Sequence, residues 1–200
     1  MSLDLGLPLH RESEFTLAST EWCPHPERYS AYDTDAAEVE ALEVLAALVR
    51  ALKPAFVLET GTHLGRSAAY IADALDRNRY GCMVSLEINS DYAAAARDLL
   101  AWHGLLGLGI GQCDVLQVSS FEYIPPLPID FLFSDSELGT RRHELERLRP
   151  WLAPRAWVAV HDTLTHLSVI GDLAPLGWIE RVDIPTPRGL TIGRVRNENS

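Results

Sequence analysis

One short stretch constrains the fold more than any other, because it joins a buried strand, a glycine turn and the start of a helix. Its sequence is FVLETGTHLGRS, residues 56–67. The apolar run after Pro54 predicts a buried strand, and the residues from Ser67 onward predict a helix. Such a turn leaves free backbone N–H groups at the helix start, which suit an anionic or zwitterionic ligand. Glu59 adds a carboxylate that repels phosphate and suits a cationic group. The stretch therefore predicts a ligand-binding turn, the alternative being an ordinary turn with an exposed acid.

The rest of the chain repeats this alternation of strand and helix. Further apolar segments predict strands at residues 83–87, 109–114, 129–133, 156–160, 178–184 and 190–195. Short connections between alternating strands and helices are typical of a parallel sheet that is covered by helices. The sequence therefore predicts an α/β fold. We expect a Rossmann-like, doubly wound, mostly parallel seven-stranded sheet with helices on both faces and a C-terminal antiparallel strand.

Acidic side chains end five of the predicted strands. They are Glu59, Glu87, Asp114, Asp135 and Asp162. One such acid is uninformative, since charged residues often begin loops. Five at equivalent strand ends would converge on one edge of the sheet, where doubly wound folds bind their ligands. The set therefore predicts a ligand site at that edge.

A helix is predicted before the first strand. Asp35 and Glu38 have the spacing of a capping box, and apolar residues then recur at helical spacing up to Leu52. Residues 1–32 show no regular pattern and contain prolines and several aromatic side chains. We therefore expect an N-terminal arm, residues 1–32, and a ligand-binding domain, residues 33–200. The arm is expected to close over the site or to form the contact of a homodimer.

Composition excludes several kinds of partner. The chain has 17 basic and 28 acidic residues and a net charge of −11, which argues against a nucleic-acid or anionic-membrane surface. Three cysteines without CxxC spacing favour a reducing, cytoplasmic compartment. The N-terminus shows no signal-peptide pattern, and no apolar stretch approaches the roughly 20 residues of a membrane span. We therefore expect a cytoplasmic protein whose partner is a small molecule.

Four motifs together resemble the class I S-adenosylmethionine-dependent methyltransferases. They are VLETGTHLGRS, MVSLE, IDFLFSD and VAVHDT, which begin at Val57, Met83, Ile129 and Val158. The resemblance is greatest to the small O-methyltransferases, which include the catechol O-methyltransferase-like and the antibiotic- and sugar-modifying enzymes. It implies that the domain binds S-adenosylmethionine and transfers its methyl group to a hydroxyl of a small molecule.

The resemblance also implies which residues hold the cofactor. The turn after the first strand would hold the methionine part through Glu59, Gly61, His63, Gly65 and Ser67. Glu87 would bind both ribose hydroxyls, since a carboxylate offers two acceptor oxygens. Asp114 would lie beside the adenine, and Asp135 would face the transferred methyl group.

The catalytic set implied by the resemblance is Asp135, His161 and Asp162. In metal-dependent members these positions supply metal ligands, and carboxylate oxygens suit Mg²⁺ or another divalent metal. Two departures leave the proton acceptor open: Leu138 stands where the catechol enzymes carry a lysine, and His161 stands where they carry an acid. Either a metal acidifies the acceptor hydroxyl, or His161 acts as the base without a metal. We favour the metal.

Two other functions stay open at this point. An NAD-type oxidoreductase would use a similar sheet, but the turn has the spacing Gly61-x-x-x-Gly65 instead of G-x-G-x-x-G. A protein that binds the cofactor without catalysis is the second alternative, and the missing lysine favours it.

Overall fold

The computed structural model describes residues 23–164 and 177–195. Its strands are β1 (Phe56–Thr60), β2 (Cys82–Glu87), β3 (Cys113–Gln117), β4 (Ile129–Ser134), β5 (Leu152–His161), β6 (Trp178–Ile184) and β7 (Leu190–Val195). The α-helices in these ranges are α1 (Val39–Leu52), α2 (Arg66–Asn78), α3 (Ser90–Trp102) and α4 (Arg141–Leu148). Single 3₁₀ turns occupy Pro26–Arg28 and Arg149–Trp151. None of the helices in the described ranges combines the length and apolar character that a membrane crossing requires.

All seven strands belong to one sheet, in the order β3-β2-β1-β4-β5-β7-β6. Strand β7 is antiparallel to both of its neighbours, and the other strand pairs are parallel. The predicted mostly parallel seven-stranded sheet with a C-terminal antiparallel strand is therefore confirmed. Strand order reverses between β1 and β4, so the carboxyl ends of these two strands form the switch point where such sheets bind ligands.

Apolar layers cover both faces of the sheet. Helices α1, α2 and α3 pack on one face, where Leu45, Ile71 and Leu100 are fully buried with strand residues such as Phe131. Helix α4 packs on the opposite face through Leu145 and Leu148, against strand residues that include Leu58 and Leu132. The central strand β1 is buried along its whole length, as expected for a parallel strand that is covered on both faces.

The predicted capping box before α1 is wrong. Helix α1 begins at Val39, and the side chain of Glu38 makes no capping hydrogen bond although it occupies the N-cap position. Asp33 Oδ1 instead accepts the backbone N–H groups of Asp35 and Ala36 in a turn before the helix. The Glu38 carboxylate is wholly buried in the site, as described below.

The predicted third strand is also misplaced. Strand β3 pairs with β2 in parallel register from Met83 opposite Cys113 to Glu87 opposite Gln117. Asp114 therefore lies near the start of the strand, at the end of the sheet away from the switch point, and the expectation that the strand ends there is wrong. The apolar sequence continues beyond Asp114, and the strand follows it. Four of the five predicted acids remain at or beside the carboxyl edge.

The end of the predicted N-terminal arm packs on the domain. Cys23, Ala31 and Tyr32 are buried, and the Tyr32 hydroxyl lies 2.9 Å from the hydroxyl of Tyr70 on α2. Residues 1–22 lie outside the described residues. Closure of the arm over the site, or its use in a homodimer contact, stays a prediction.

Candidate active site at the carboxyl edge of the sheet

A cavity of about 540 Å³ opens at the carboxyl edge of the sheet, at the switch point. Its walls come from the residues that follow five strands: Gly61 after β1, Ile88 after β2, residues 118–121 after β3, Asp135 after β4 and Asp162 after β5. Parallel strands carry these positions to one edge, so residues far apart in sequence share one cavity. The cavity is the candidate binding site for a ligand.

The turn between β1 and α2 needs glycine at its first position. Gly61 has φ of +86°, and its N–H donates to the Leu86 carbonyl at 3.0 Å. A Cβ built at Gly61 would lie 2.2 Å from the carbonyl oxygen of Asp135 and 2.8 Å from the N–H nitrogen of Ser136. The turn therefore packs directly on the backbone that follows β4, next to Asp135, the predicted catalytic acid.

Substitution of Gly61 by alanine tests this close approach. Gly104→Ala is the matched control, because Gly104 has φ of +69° and open space around the built Cβ. The control is expected to lose the roughly 1–2 kcal/mol that a left-handed conformation costs an L-residue. Gly61→Ala is expected to lose about 1–3 kcal/mol more, since overpacking adds a steric cost. Chemical denaturation measures both losses, and equal losses would contradict the close packing.

Glu87, the last residue of β2, is poised by two backbone amides. Its Oε2 accepts the N–H of His63 at 2.7 Å, and its Oε1 accepts the N–H of Asn89 at 2.9 Å. Glu87 lines the cavity and is 8% exposed. A carboxylate oxygen has further acceptor capacity after one such bond, so both oxygens retain a lone pair for a diol. The ring of His63 packs edge-on against Tyr92 with centroids 4.5 Å apart.

The segment after β3 forms the wall that the sequence analysis assigned to Asp114. Val118, Ser119, Ser120 and Phe121 line the cavity, and Asp114 does not. Val118 N–H donates to the carbonyl of Glu87 at 3.0 Å, which sets this segment beside the ribose-binding candidate. Asp114 therefore does not reach the cavity, and residues 118–121 form the wall that follows β3. The last residues of β2 and β3, Glu87 and Gln117, lie opposite each other. A predicted third strand that continued through the apolar residues after Asp114 would therefore have placed residues 118–121 at the carboxyl edge.

Glu59 lies beneath the turn and outside the cavity lining. It is fully buried, its Oε2 accepts a hydrogen bond from Ser85, and its Oε1 finds no hydrogen-bond partner among the described residues. Burial raises the pKa of Glu59 to about 8, because the hydroxyls of Ser67 and Ser85 offset only part of the desolvation cost. Gly65 and Ser67 are likewise outside the lining. Roles for these three residues in holding the methionine part stay predictions.

His161, the last residue of β5, is buried among three carboxylates. Its Nε2 lies 2.7 Å from Glu38 Oε2, and its Nδ1 lies 3.1 Å from Asp135 Oδ1 and 3.6 Å from Asp162 Oδ1. Burial alone would lower the pKa of His161, but Asp135, Asp162 and Glu38 raise it well above its usual value. Each ring nitrogen therefore lies within hydrogen-bonding distance of a carboxylate, and the raised pKa favours the imidazolium form, in which both nitrogens donate.

Two arginines complete this cluster. Arg141 Nη2 lies 3.7 Å from Asp135 Oδ1 and 3.7 Å from Asp162 Oδ2. Arg188, in the loop between β6 and β7, donates from Nε to Asp162 Oδ1 at 2.6 Å and from its backbone N–H to Glu38 Oε1 at 2.7 Å. Burial would raise the pKa of Asp162, but His161, Arg188 and Arg141 hold it below its usual value. We call Glu38, Asp135, Arg141, His161, Asp162 and Arg188 the charge cluster.

A second buried acid braces the same strand ends. One oxygen of Glu144, on α4, accepts hydrogen bonds from the hydroxyls of Thr60, Ser134 and Ser136 at 2.7, 3.1 and 2.9 Å. Thr60 and Ser134 end β1 and β4, and Ser136 follows β4, so Glu144 links the two strands on either side of the switch point. Leu138 lines the cavity where the catechol enzymes carry a lysine, and therefore offers no proton acceptor there.

The fold and the cavity together have the architecture of a Rossmann-like ligand-binding domain. A family model described as "Methyltransferase domain" matches residues 58–163, which span β1 to the end of β5. The chain belongs to this methyltransferase-domain family, and the resemblance drawn from its motifs is confirmed.

Solved structures show the same fold at low sequence identity. An O-methyltransferase from Bacillus cereus, solved in complex with SAH, superposes with a TM-score of 0.66 and 18% identity over 82% of this chain and 84% of that one. The O-methyltransferase TomG from Streptomyces achromogenes, solved in complex with SAM, gives a TM-score of 0.67 and 18% identity over 94% of this chain and 99% of that one.

A curated relative matches part of the sequence more closely. Catechol O-methyltransferase B from Danio rerio is 40% identical over 88 residues, which is 44% of this chain. The match spans 31% of the length of that relative.

Proposed function

We propose that this chain transfers the methyl group of S-adenosylmethionine to a hydroxyl of a small molecule. One observation carries the proposal: a single cavity is lined both by Glu87, whose carboxylate is held by two backbone amides, and by Asp135. Glu87 would bind the ribose, residues 118–121 would hold the adenine, and the turn at Gly61 and His63 would hold the methionine part. The Bacillus cereus enzyme was solved with SAH and TomG with SAM, which supports the choice of cofactor.

The chemistry is an in-line displacement in which the acceptor oxygen attacks the methyl carbon and the sulfur keeps the electron pair of the broken bond. The chain must align the two reactants and remove the hydroxyl proton. Asp135 and Leu138 line the part of the cavity where the acceptor would sit. Its acidic and apolar walls favour a small uncharged hydroxyl compound over a phosphorylated one.

The predicted metal site does not fit the residues that surround it. Asp135, His161 and Asp162 can bring one ligand atom each within 4.8 Å of one another. The guanidinium of Arg141, however, lies against both carboxylates, and His161 Nδ1, the nitrogen that would have to bind the metal, already lies 3.1 Å from Asp135 Oδ1. A divalent cation about 4 Å from that guanidinium would be repelled by about 8 kcal/mol at an effective dielectric constant of about 20. The proposed reaction therefore uses no metal.

His161 does not suit the role of general base either. Its side chain is fully buried and does not line the cavity. Both of its ring nitrogens are engaged with carboxylates, so neither is directed at an acceptor in the cavity. We assign His161 a positioning role in the charge cluster.

Substitution of Glu87 tests the cofactor assignment. Glu87→Ala is expected to weaken the binding of S-adenosylmethionine by about 1–3 kcal/mol, the scale for losing hydrogen bonds to a charged group. Glu43→Ala, on the exposed face of α1, is the matched control and should leave affinity unchanged. Calorimetric titration with S-adenosylmethionine, and with NAD for comparison, measures both. Unchanged affinity in Glu87→Ala would contradict the assignment of Glu87 to the ribose. Tight binding of NAD would support the oxidoreductase alternative.

Catalysis itself needs a separate measurement, because a protein that only binds the cofactor would pass the titration. Release of S-adenosylhomocysteine is followed with a panel of small phenols, catechols and sugars. Product with one class of hydroxyl compound is expected, and binding without turnover on the whole panel would favour the inactive alternative.

Cys23, Cys82 and Cys113 are all free thiols, which supports a reducing compartment such as the cytoplasm.

A further inference from the structure

The charge cluster balances its own charges without an added ion. It contains three carboxylates, Glu38, Asp135 and Asp162, and three cationic groups, Arg141, Arg188 and His161. Each carboxylate lies within 4 Å of a cationic side chain, and most of the cluster is buried. Two carboxylates that face each other need a cation or a proton between them. Here the chain itself supplies the cation.

Arg141 occupies the position between the two carboxylates that follow β4 and β5. Its Nη2 is equidistant from Asp135 and Asp162, at 3.7 Å from each. The same guanidinium donates to the backbone carbonyls of Ser136 and His161, and the side chain is only 4% exposed. Because a planar guanidinium held by several acceptors keeps its charge in one place, Arg141 is a fixed cation.

We propose that methyl transfer by this chain requires no divalent metal, because Arg141 holds the cation position, and that Asp135 takes the proton of the acceptor hydroxyl. This inference rests on the proposed function. Asp135 and Asp162 both line the cavity and both contact His161 and Arg141, but the side chain of Asp135 is the more exposed of the two, at 14% against 8%. Asp162 also reaches the cavity, but Arg188 engages it directly. The side chains of His161 and Arg141 beside Asp135 orient its carboxylate.

The reaction involves only Asp135, the acceptor and S-adenosylmethionine. As the acceptor oxygen forms its bond to the methyl carbon, the O–H proton passes to Asp135 and the carbon–sulfur bond breaks with its electrons remaining on sulfur. The products are the methyl ether, S-adenosylhomocysteine and a protonated Asp135. Release of that proton to water restores the carboxylate for the next turnover.

A metal titration tests whether the wild type binds a divalent metal, and it does not depend on turnover. The wild type and an Asp135→Asn/Asp162→Asn variant, both stripped with chelator, are melted with rising Mn²⁺ or Mg²⁺ in the presence of S-adenosylhomocysteine. We expect the two proteins to respond alike, since neither has a metal site. A saturable rise in Tm of the wild type that the double variant lacks would overturn the inference. The wild-type measurement stands even if the variant fails to fold, because any saturable stabilisation would count against it.

Removal of Arg141 should create the metal site that the wild type lacks. Arg141→Gln leaves Asp135 and Asp162 facing each other, so its Tm is expected to rise with Mn²⁺ in a saturable way. A variant as indifferent to Mn²⁺ as the wild type would overturn the role of Arg141. Both results are independent of the proposed function, which fails separately if S-adenosylmethionine does not bind or no acceptor is methylated.

Turnover measurements test whether Asp135 takes the proton of the acceptor hydroxyl. Asp135→Asn is expected to lower kcat by about 10²–10⁴-fold, the usual contribution of a general base, while the dissociation constant of S-adenosylmethionine stays unchanged. Asp162→Asn should lose less, because Asp162 is proposed only to position its neighbours. In a metal site the two carboxylates would be equivalent ligands. Equal losses in the two variants, or loss of wild-type turnover on chelation, would overturn the inference.

Discussion

Replacing Arg141 by methionine is expected to lower the free energy of unfolding by about 3–5 kcal/mol, the usual cost of removing one partner from a buried ion pair. Arg141 is 3% exposed and lies between Asp135 and Asp162. Methionine keeps much of the side-chain volume but removes the charge and the donors to the backbone carbonyls after β4 and β5. Two carboxylates would then lose a cation in a buried site. Chemical denaturation in metal-free buffer measures the loss.

The neighbouring arginine provides the control for this experiment. Arg142 lies on the same helix, is largely exposed and pairs with Glu146 at 3.1 Å in i,i+4 spacing. Arg142→Met is expected to change the free energy of unfolding by only about 0.3–0.5 kcal/mol, as for other exposed helical ion pairs. A comparable loss in both variants would show that the charge cluster contributes no more to stability than a surface pair does.

The stability of the protein without cofactor is expected to fall as the pH rises from about 4.5 to about 8, because of Glu59. The folded state keeps Glu59 protonated up to about pH 8, whereas the ordinary value of 4.5 applies to the unfolded chain. The folded state therefore binds more protons in this window, and the stability contributed by Glu59 is complete below it and lost as the pH rises through it. A difference of roughly 3.5 pKa units corresponds to roughly 5 kcal/mol at most.

Glu59→Gln separates this effect from every other titration. Glutamine fills the same space and carries no charge, so the variant is expected to gain on the wild type as pH rises and to keep its lead above about pH 8. Unfolding at a series of pH values measures the difference between the two proteins. Glu43→Gln, at an exposed position of α1, should show no such trend. A difference between Glu59→Gln and wild type that is independent of pH would contradict the buried, protonated carboxyl.

Local sequence patterns were sufficient for most of the sheet. Strands β6 and β7 begin and end where the pattern predicts, and the turn at Gly61 and the acid Glu87 lie where the motifs indicate. Short-range signals fail where two patterns compete. Asp35 and Glu38 have capping-box spacing, yet the side chain of Glu38 makes no cap and contacts the buried His161 instead. Asp114 resembles a strand end, yet the apolar residues that follow it continue the strand.

The sequence by itself therefore determined the order of strands and helices, the edge of the sheet that carries the site and the likeness to methyltransferases, because those features depend on neighbours in the chain. Only the tertiary structure decided what the site is. Glu38 is 123 residues from His161 and 150 from Arg188, and Arg141 lies on the helix between β4 and β5. Nothing in their local sequence marks them as partners. Whether Asp135 and Asp162 face a metal or an arginine depends on which cation the folded chain brings between them, and that is a property of long-range packing.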